Sequence, residues 1–130
     1  MFTVEVTTDG VFWMRLVEEV TPADEAGYLD LLDRLAARKE PFALVSVIDI
    51  SGGTVSQATR KAQNLWFKRN RERLGRLCWG MARVRPGIDP TQSDAAFVRA
   101  VPFPTQRVRR EAEVPPLLAR WRAEFAERRP

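Results

Sequence analysis

The residues best suited to chemistry stand together in Asp49-Ile50-Ser51-Gly52-Gly53-Thr54, with Ser56 two positions on. Asp49 interrupts an apolar run close to its end, and open α/β sheets place ligands at the carboxyl ends of their strands. Buried there, its carboxyl would have a raised pKa, a mark of functional acids. The plainer reading is that it accepts hydrogen bonds from backbone N–H groups at 51–53. Ser51-Gly52-Gly53-Thr54, ahead of a helix, offers loop amides and a helix N-terminus to an anion. The stretch contains neither G-x-G-x-x-G nor G-x-x-x-x-G-K-[ST], so neither known nucleotide-binding device is present. What stays open to it is a turn with a helix cap, a single bound anion, or phosphorylation of Ser51.

Other chemistry is thinly supplied. There is no histidine in the 130 residues, which removes Ser-His-Asp and Cys-His nucleophiles and most zinc sites. Cys78, the sole cysteine, begins an apolar strand and reads as a small core residue. No spacing among the 17 carboxylates singles out an acid–base pair. A non-enzymatic role without a cofactor is therefore expected. Had the chain been an enzyme, Asp49 with Ser51 or Thr54 would be its candidates.

Charge is unevenly laid out. Residues 1–50 carry four Lys/Arg against ten Asp/Glu, a net of −6, whereas residues 51–130 carry 17 against seven, a net of +10. The densest part is Arg60 to Arg76, where Arg60, Lys61, Lys68, Arg69, Arg71, Arg73 and Arg76 face Glu72 alone. A basic stretch holding Trp66 and Phe67 can bind nucleic acid or an anionic membrane surface. Trp66, however, continues an Ala58-Ala62-Leu65 stripe and is expected to face the core, so nucleic acid ranks below a protein partner. The bland alternative is a solvated face, or pairing with Asp24, Glu25, Asp30 and Asp33 of the preceding helix. The partner or anion surface is thus expected at Asp49, Ser51, Thr54, Ser56, Arg60, Lys61 and Lys68. A second candidate is apolar, a ligand site around Phe97, Phe103 and Trp121.

The elements that must position these residues are legible from periodicity. Alternating Phe2, Val4, Val6 and Phe12, Met14, Leu16 flank Asp9-Gly10, which predicts a hairpin of strands 2–8 and 11–18 with positive φ supplied by that pair. Thr21-Pro22-Ala23-Asp24 predicts a capped helix to about Arg38, with Tyr28, Leu31, Leu32 and Leu35 on its apolar side. Phe42 to Ile50 is nearly continuous apolar sequence, as in a strand covered on both faces. A second helix is expected from Ser56 to Arg76, and a strand over 78–84. A third helix should open at Asp89-Pro90 and run to Val101. An edge strand is expected over 106–109, and a last helix from Val114 with Leu117, Leu118, Trp121 and Phe125 on one face. Arg128 to Pro130 reads as a frayed tail.

The order is β-β-α-β-α-β-α-β-α, an α/β fold with a mixed sheet. At 130 residues it is expected to be a single domain, residues 1–130, able to bury roughly two thirds of its unfolded surface. No run approaches the ~20 apolar residues of a membrane span. The first residues lack the pattern of a signal peptide, and a lone cysteine suits a reducing compartment, so a cytoplasmic location is expected.

The chain resembles the STAS domain of bacterial anti-anti-sigma factors, and more narrowly the small stand-alone SpoIIAA-like proteins. The resemblance rests on Asp9-Gly10-Val11-Phe12-Trp13, the Thr21-Pro22 helix start, and Glu40-Pro41-Phe42-Ala43-Leu44 leading to Ile48-Asp49-Ile50-Ser51-Gly52. Arg107-Val108-Arg109 and the helix bearing Trp121 also fit. It implies a sheet with helices packed largely on one face, and a regulatory, protein-binding role, with a homodimer among the forms to expect. The Asp-Ser-Ser-Gly phosphoacceptor segment of classical members corresponds here to Asp49-Ile50-Ser51-Gly52, with Ile50 in place of the first serine. Ser51 is the acceptor the resemblance supplies.

Overall fold

Strand β1 (Phe2–Val6) pairs antiparallel with β2 (Val11–Glu18), from Phe2 opposite Leu16 to Val6 opposite Phe12. Residues 1–51, 55–89 and 91–128 are described by a computed structural model of the chain. The hairpin differs from expectation at its turn. The first strand stops at Val6, and Thr7 to Gly10 form a turn in which Gly10 N donates to Thr7 O at 3.1 Å. Within this turn Gly10 has positive φ, at 85°, and Asp9 does not. The Asp9 carboxylate instead accepts from Thr7 Oγ1, so its work is to hold the turn by a side-chain bond.

Helix α1 (Pro22–Ala37) starts as the sequence predicts, with the Thr21 and Asp24 side chains capping each other's backbone N–H. Its buried stripe is Tyr28, Leu31, Leu32 and Leu35. Each of these large apolar side chains contributes about 1.5–3 kcal/mol of transfer free energy. Strand β3 (Phe42–Ile50) runs parallel to β2 in the middle of the sheet.

The long basic helix is two helices, α2 (Gln57–Arg69) and α3 (Arg71–Leu77). Asn70 divides them. Its backbone leaves the helical region at φ −106°, ψ 13°, and its Nδ2 donates to Trp66 O at 2.9 Å. An asparagine side chain competing for a helix carbonyl favours a break. Strand β4 (Cys78–Val84) follows, then α4 (Ala95–Ala100), edge strand β5 (Thr105–Val108), a 3-10 turn at Glu111–Glu113, and α5 (Val114–Arg128). The third helix is much shorter than predicted. The Asp89 carboxylate accepts from Thr91 N at 2.9 Å and so caps a turn rather than a helix. Asp94, the next possible cap, is drawn to Arg83 at 2.6 Å. Arg128 closes α5 instead of belonging to a tail, whose other residues, 129 and 130, lie outside the described ones.

The sheet order is β1-β2-β3-β4-β5, with β2 to β5 parallel. Each new strand is added on the same side of the last, so crossovers of one hand bring every intervening helix to the same face. Tyr28, Leu31, Leu32, Leu35, Trp66, Leu74 and Phe103 accordingly pack with Phe12, Met14, Leu16, Leu44 and Met81 of the sheet. Helix α5 follows the last strand and covers the other face, where Val114, Leu117 and Trp121 pack on Val11, Val45, Val47, Trp79 and Val84. The apolar run of β3 is explained by this double cover.

Candidate anion and partner surfaces

The predicted site residues divide between places that the sheet keeps apart. Along β3, Ala43, Val45 and Val47 face α5, and alternation carries Asp49 to that side. Asp49 is exposed, which removes the buried-acid reading; the loop amides that the plainer reading gives it belong mostly to residues 52 and 53, which lie outside the described residues. Ser51 is exposed just past the strand, its N–H donating to Glu18 O at 2.9 Å. Thr54 lies outside the described residues.

Ser56 is the N-cap of α2. Its Oγ accepts from Thr59 N at 3.1 Å, and its own N–H donates to Glu25 Oε1 at 2.6 Å. The carboxylate of α1 thus occupies the start of α2, where an external anion would sit. The bond from Ser56 N holds the Glu25 carboxyl below the usual range. An internal carboxylate therefore already meets the Ser56 N–H, while the loop amides of 52–54, also expected to hold an anion, lie outside the described residues.

Arg60, Lys61 and Lys68 lie together on the solvent side of α2, with Asn64 between them, at spacings of one, three and four that keep them on one stripe. All three are exposed, and among the described residues none forms an ion pair. Among the described residues the predicted pairing with α1 is absent: Asp24 and Glu25 have other tasks, and Asp30 and Asp33 do not reach these cations. Asp24 accepts from the N–H groups of Thr21 and Phe2 and pairs with the N-terminal amine at 3.3 Å, and the Thr21 bond above all takes its pKa down to about 2. Glu25 caps α2. Asp30 and Asp33 are exposed and pair with nothing described. Trp66 is buried as expected, but its supposed companions are not: Ala58 is exposed, Ala62 half-buried and Leu65 42% exposed. The buried side of α2 is Thr59 and Trp66, with Gln63 and Phe67 partly covered.

The apolar trio also separates. Phe97 and Phe103 both contact Phe67, with ring centroids at 5.8 and 6.5 Å. Phe67, Phe97, Ala100 and Val101 line a groove of about 330 Å³ between α2 and α4, with Lys68 and Arg71 at its mouth. Trp121 is across the sheet, buried under α5. It cannot share a ligand with the two phenylalanines.

Sequence reasoning missed a group at the carboxyl ends of β3 and β4. Arg83 is buried, stacks over Phe97 at 4.5 Å and pairs with Asp94 at 2.6 Å, a bond that lowers the Asp94 pKa. Two residues on, Arg85 has no carboxylate partner among the described residues. Its Nη1 donates to Ser46 O at 2.5 Å and Val84 O at 3.0 Å, and its Nη2 to Ser46 Oγ at 3.2 Å. Burial pushes its pKa down to about 10, and the charges of Arg83 and Arg107 add to the effect. Tyr28 lies close by, donating to Gln63 Oε1 at 2.6 Å, and burial raises its phenol pKa. The available signal was Ser46, the one hydroxyl inside the β3 apolar run, which predicted a polar neighbour without naming it. Among the described residues no three acidic or thiol side chains gather as metal ligands would, and no helix is long and apolar enough to cross a membrane.

No protein-family model matches the chain, and no curated protein matches it. Among solved structures it is similar to an uncharacterized DUF3478-family protein with a SpoIIAA-like fold from Shewanella loihica PV-4. The TM-score is 0.64 at 14% identity, over 91% of this chain and 92% of that one. The fold is SpoIIAA-like. The resemblance read from Asp9-Gly10 and from the Phe42–Ile50 strand is borne out at the level of architecture, as is the α/β class.

Proposed function

We propose that residues 1–130 act as one STAS-like, non-enzymatic interaction module, and that its partner is a protein with an acidic surface docking on α2. The observation that carries this reading is the stripe of Arg60, Lys61 and Lys68, exposed and without an ion pair among the described residues, beside a helix whose Asp30 and Asp33 are free of described partners. Three cations left on one helix face steer an acidic partner and fix its orientation. Exposed Ser51 is near the same end of the fold, where a phosphoryl group would alter the charge such a partner meets. The test is affinity capture from lysate of the source cells, comparing the wild type with Arg60→Glu/Lys61→Glu/Lys68→Glu and with Arg120→Glu on α5 as a control. The expected result is a defined acidic protein held by the wild type and the control, lost in the triple variant and released by salt. Identical captures by all three sink the proposal. A dimer mass abolished by the triple variant would make the partner a second copy, whose exposed Asp30 and Asp33 supply acid.

A second reading is a small apolar ligand, which the groove lined by Phe67, Phe97, Ala100 and Val101 would hold. Solvent extraction of gently purified protein followed by mass spectrometry tests it; a stoichiometric apolar compound is the expected result, and none means the groove only closes the core.

A further inference from the structure

Arg85 lines a recess of about 300 Å³ whose walls are the apolar side chains of Ile48, Ile50, Val55 and Ile88. The recess lies at the carboxyl end of β3, where parallel sheets hold ligands. A guanidinium has five N–H donors. Three are used, on Ser46 O, Val84 O and Ser46 Oγ, and all three acceptors are neutral. The bonds from Nη1 and Nη2 to Ser46 use the end of the guanidinium. The remaining Nε–H and second Nη2–H share its long edge, the edge that grips a carboxylate with two parallel bonds. A desolvated charge without a counter-charge is costly, and here Arg83 and Arg107 add like charge. Arg83 has Asp94 to offset it; among the described residues Arg85 has no such partner. Asp49, also on the recess, is exposed and makes no ion pair with Arg85.

We propose that this recess binds a small monocarboxylate with a short apolar tail, its carboxylate on the Nε/Nη2 edge of Arg85 and its tail among Ile48, Ile50, Val55 and Ile88. The tail requirement comes from the walls, and the single negative charge from the single free guanidinium. Asp49 at the rim repels a second carboxylate. The assignment does not depend on the partner proposed for α2, whose stripe of cations is on the outer side of the helix layer.

The test is titration of the isotopically labelled full chain with hexanoate, read by NMR on the amides of Ile48, Ile50, Val55 and Ile88 and on Arg85 Nε–H. Hexanoate is expected to shift these signals saturably, and hexanol at equal concentration to leave Arg85 Nε–H in place. Arg85→Gln should weaken hexanoate by about tenfold or more, the scale of losing charge-assisted bonds. Because removing Arg85 from beside Ser46 can unsettle the fold, Ile88→Glu at a partly exposed loop position supplies an independent arm. It should keep the native spectrum and abolish hexanoate binding. Shifts that map elsewhere, equal binding by either variant, or equal displacement of Arg85 Nε–H by hexanol overturn the proposal. Inorganic phosphate producing the same shifts where hexanoate does not overturns the carboxylate assignment.

Discussion

Replacing Gly80 with alanine tests the packing of α5 on the second face of the sheet. The register between β3 and β4 slips at Phe42/Ala43, with Cys78 opposite Phe42 and Gly80 opposite Ala43. This bulge turns both Trp79 and Gly80 toward α5. A β-carbon on Gly80 would stand 2.4 Å from Cε3 and 2.9 Å from Cδ2 of Trp121. Carbon atoms pack at about 3.5 Å or more, so the indole would have to withdraw by about 1 Å. It has nowhere to go: Trp121 is 2% exposed and wedged on Val84 and Val45. Overpacking a filled core costs about 1–3 kcal/mol, and alanine returns about 0.5–1 kcal/mol over glycine within a strand. The net loss should be about 0–2.5 kcal/mol, the difference of those two terms, centred on about 1 kcal/mol. Trp121→Ala alone should cost about 3–5 kcal/mol. With the indole gone, Gly80→Ala should be neutral or slightly stabilising, which makes the two changes couple by about 1–3 kcal/mol. Urea unfolding followed by circular dichroism reads all four corners of the cycle. Equal effects of Gly80→Ala in both backgrounds would refute the contact, and with it the placement of Trp121 as a wedge rather than a ligand wall.

Acid should unfold the protein in a window set by its capped carboxylates. The folded-state pKa values of Asp9, Asp24, Glu25, Asp89 and Asp94 are all below their ordinary values, and Asp24 falls from 3.8 to about 2. Stability from such depressed groups is fully present above the unfolded-state values and is lost as the pH drops through 3.8 toward 2. Thermal melts between pH 6 and 2 should show this fall, and Asp24→Asn should flatten part of it; an unchanged profile would contradict the cap. Cys78, which burial pushes up to about 12, should resist a thiol reagent at pH 8 in the native state and react at once in denaturant. Rapid native labelling would mean that β4 opens.

The elements were legible because their signals are local. Tyr28, Leu31, Leu32 and Leu35 carry a helical period and are all buried. The β3 run is apolar on both sides because both sides are covered. The failures were contests between neighbours. Asn70 takes the Trp66 carbonyl and divides a helix that periodicity runs through. Asp94 leaves a cap for Arg83, a residue 11 positions away. The site was less legible still, since which face of the sheet a helix covers depends on the direction in which strands are added. Phe97 and Trp121 look alike in sequence, and the chain passes the edge of the sheet between them.

The division of charge along the chain has a structural reason that bears on both proposed surfaces. An acidic α1 beside a basic α2 would form a closed, self-neutralising pair if its carboxylates reached across. The Asp24 and Glu25 carboxylates instead accept from backbone N–H groups, one from Thr21 at the start of its own helix and one from Ser56 at the start of α2. A carboxylate on backbone amides at a helix start is held by several short bonds and gains from the helix dipole, whereas an exposed ion pair is worth about 0–1 kcal/mol. The stronger use takes Asp24 and Glu25; Asp30 and Asp33 stay exposed without a described partner, and the cations of α2 are left facing solvent. Arg85 arises differently: a strand end brings it beside Ser46, whose oxygens are neutral, and Asp94 is already held by Arg83. The first surface consists of hydrated charges that salt screens over about 8 Å. The second is a desolvated guanidinium against apolar walls, where screening is weak. The two therefore suit different ligands, a macromolecule that meets many charges loosely and a small anion that meets one charge closely.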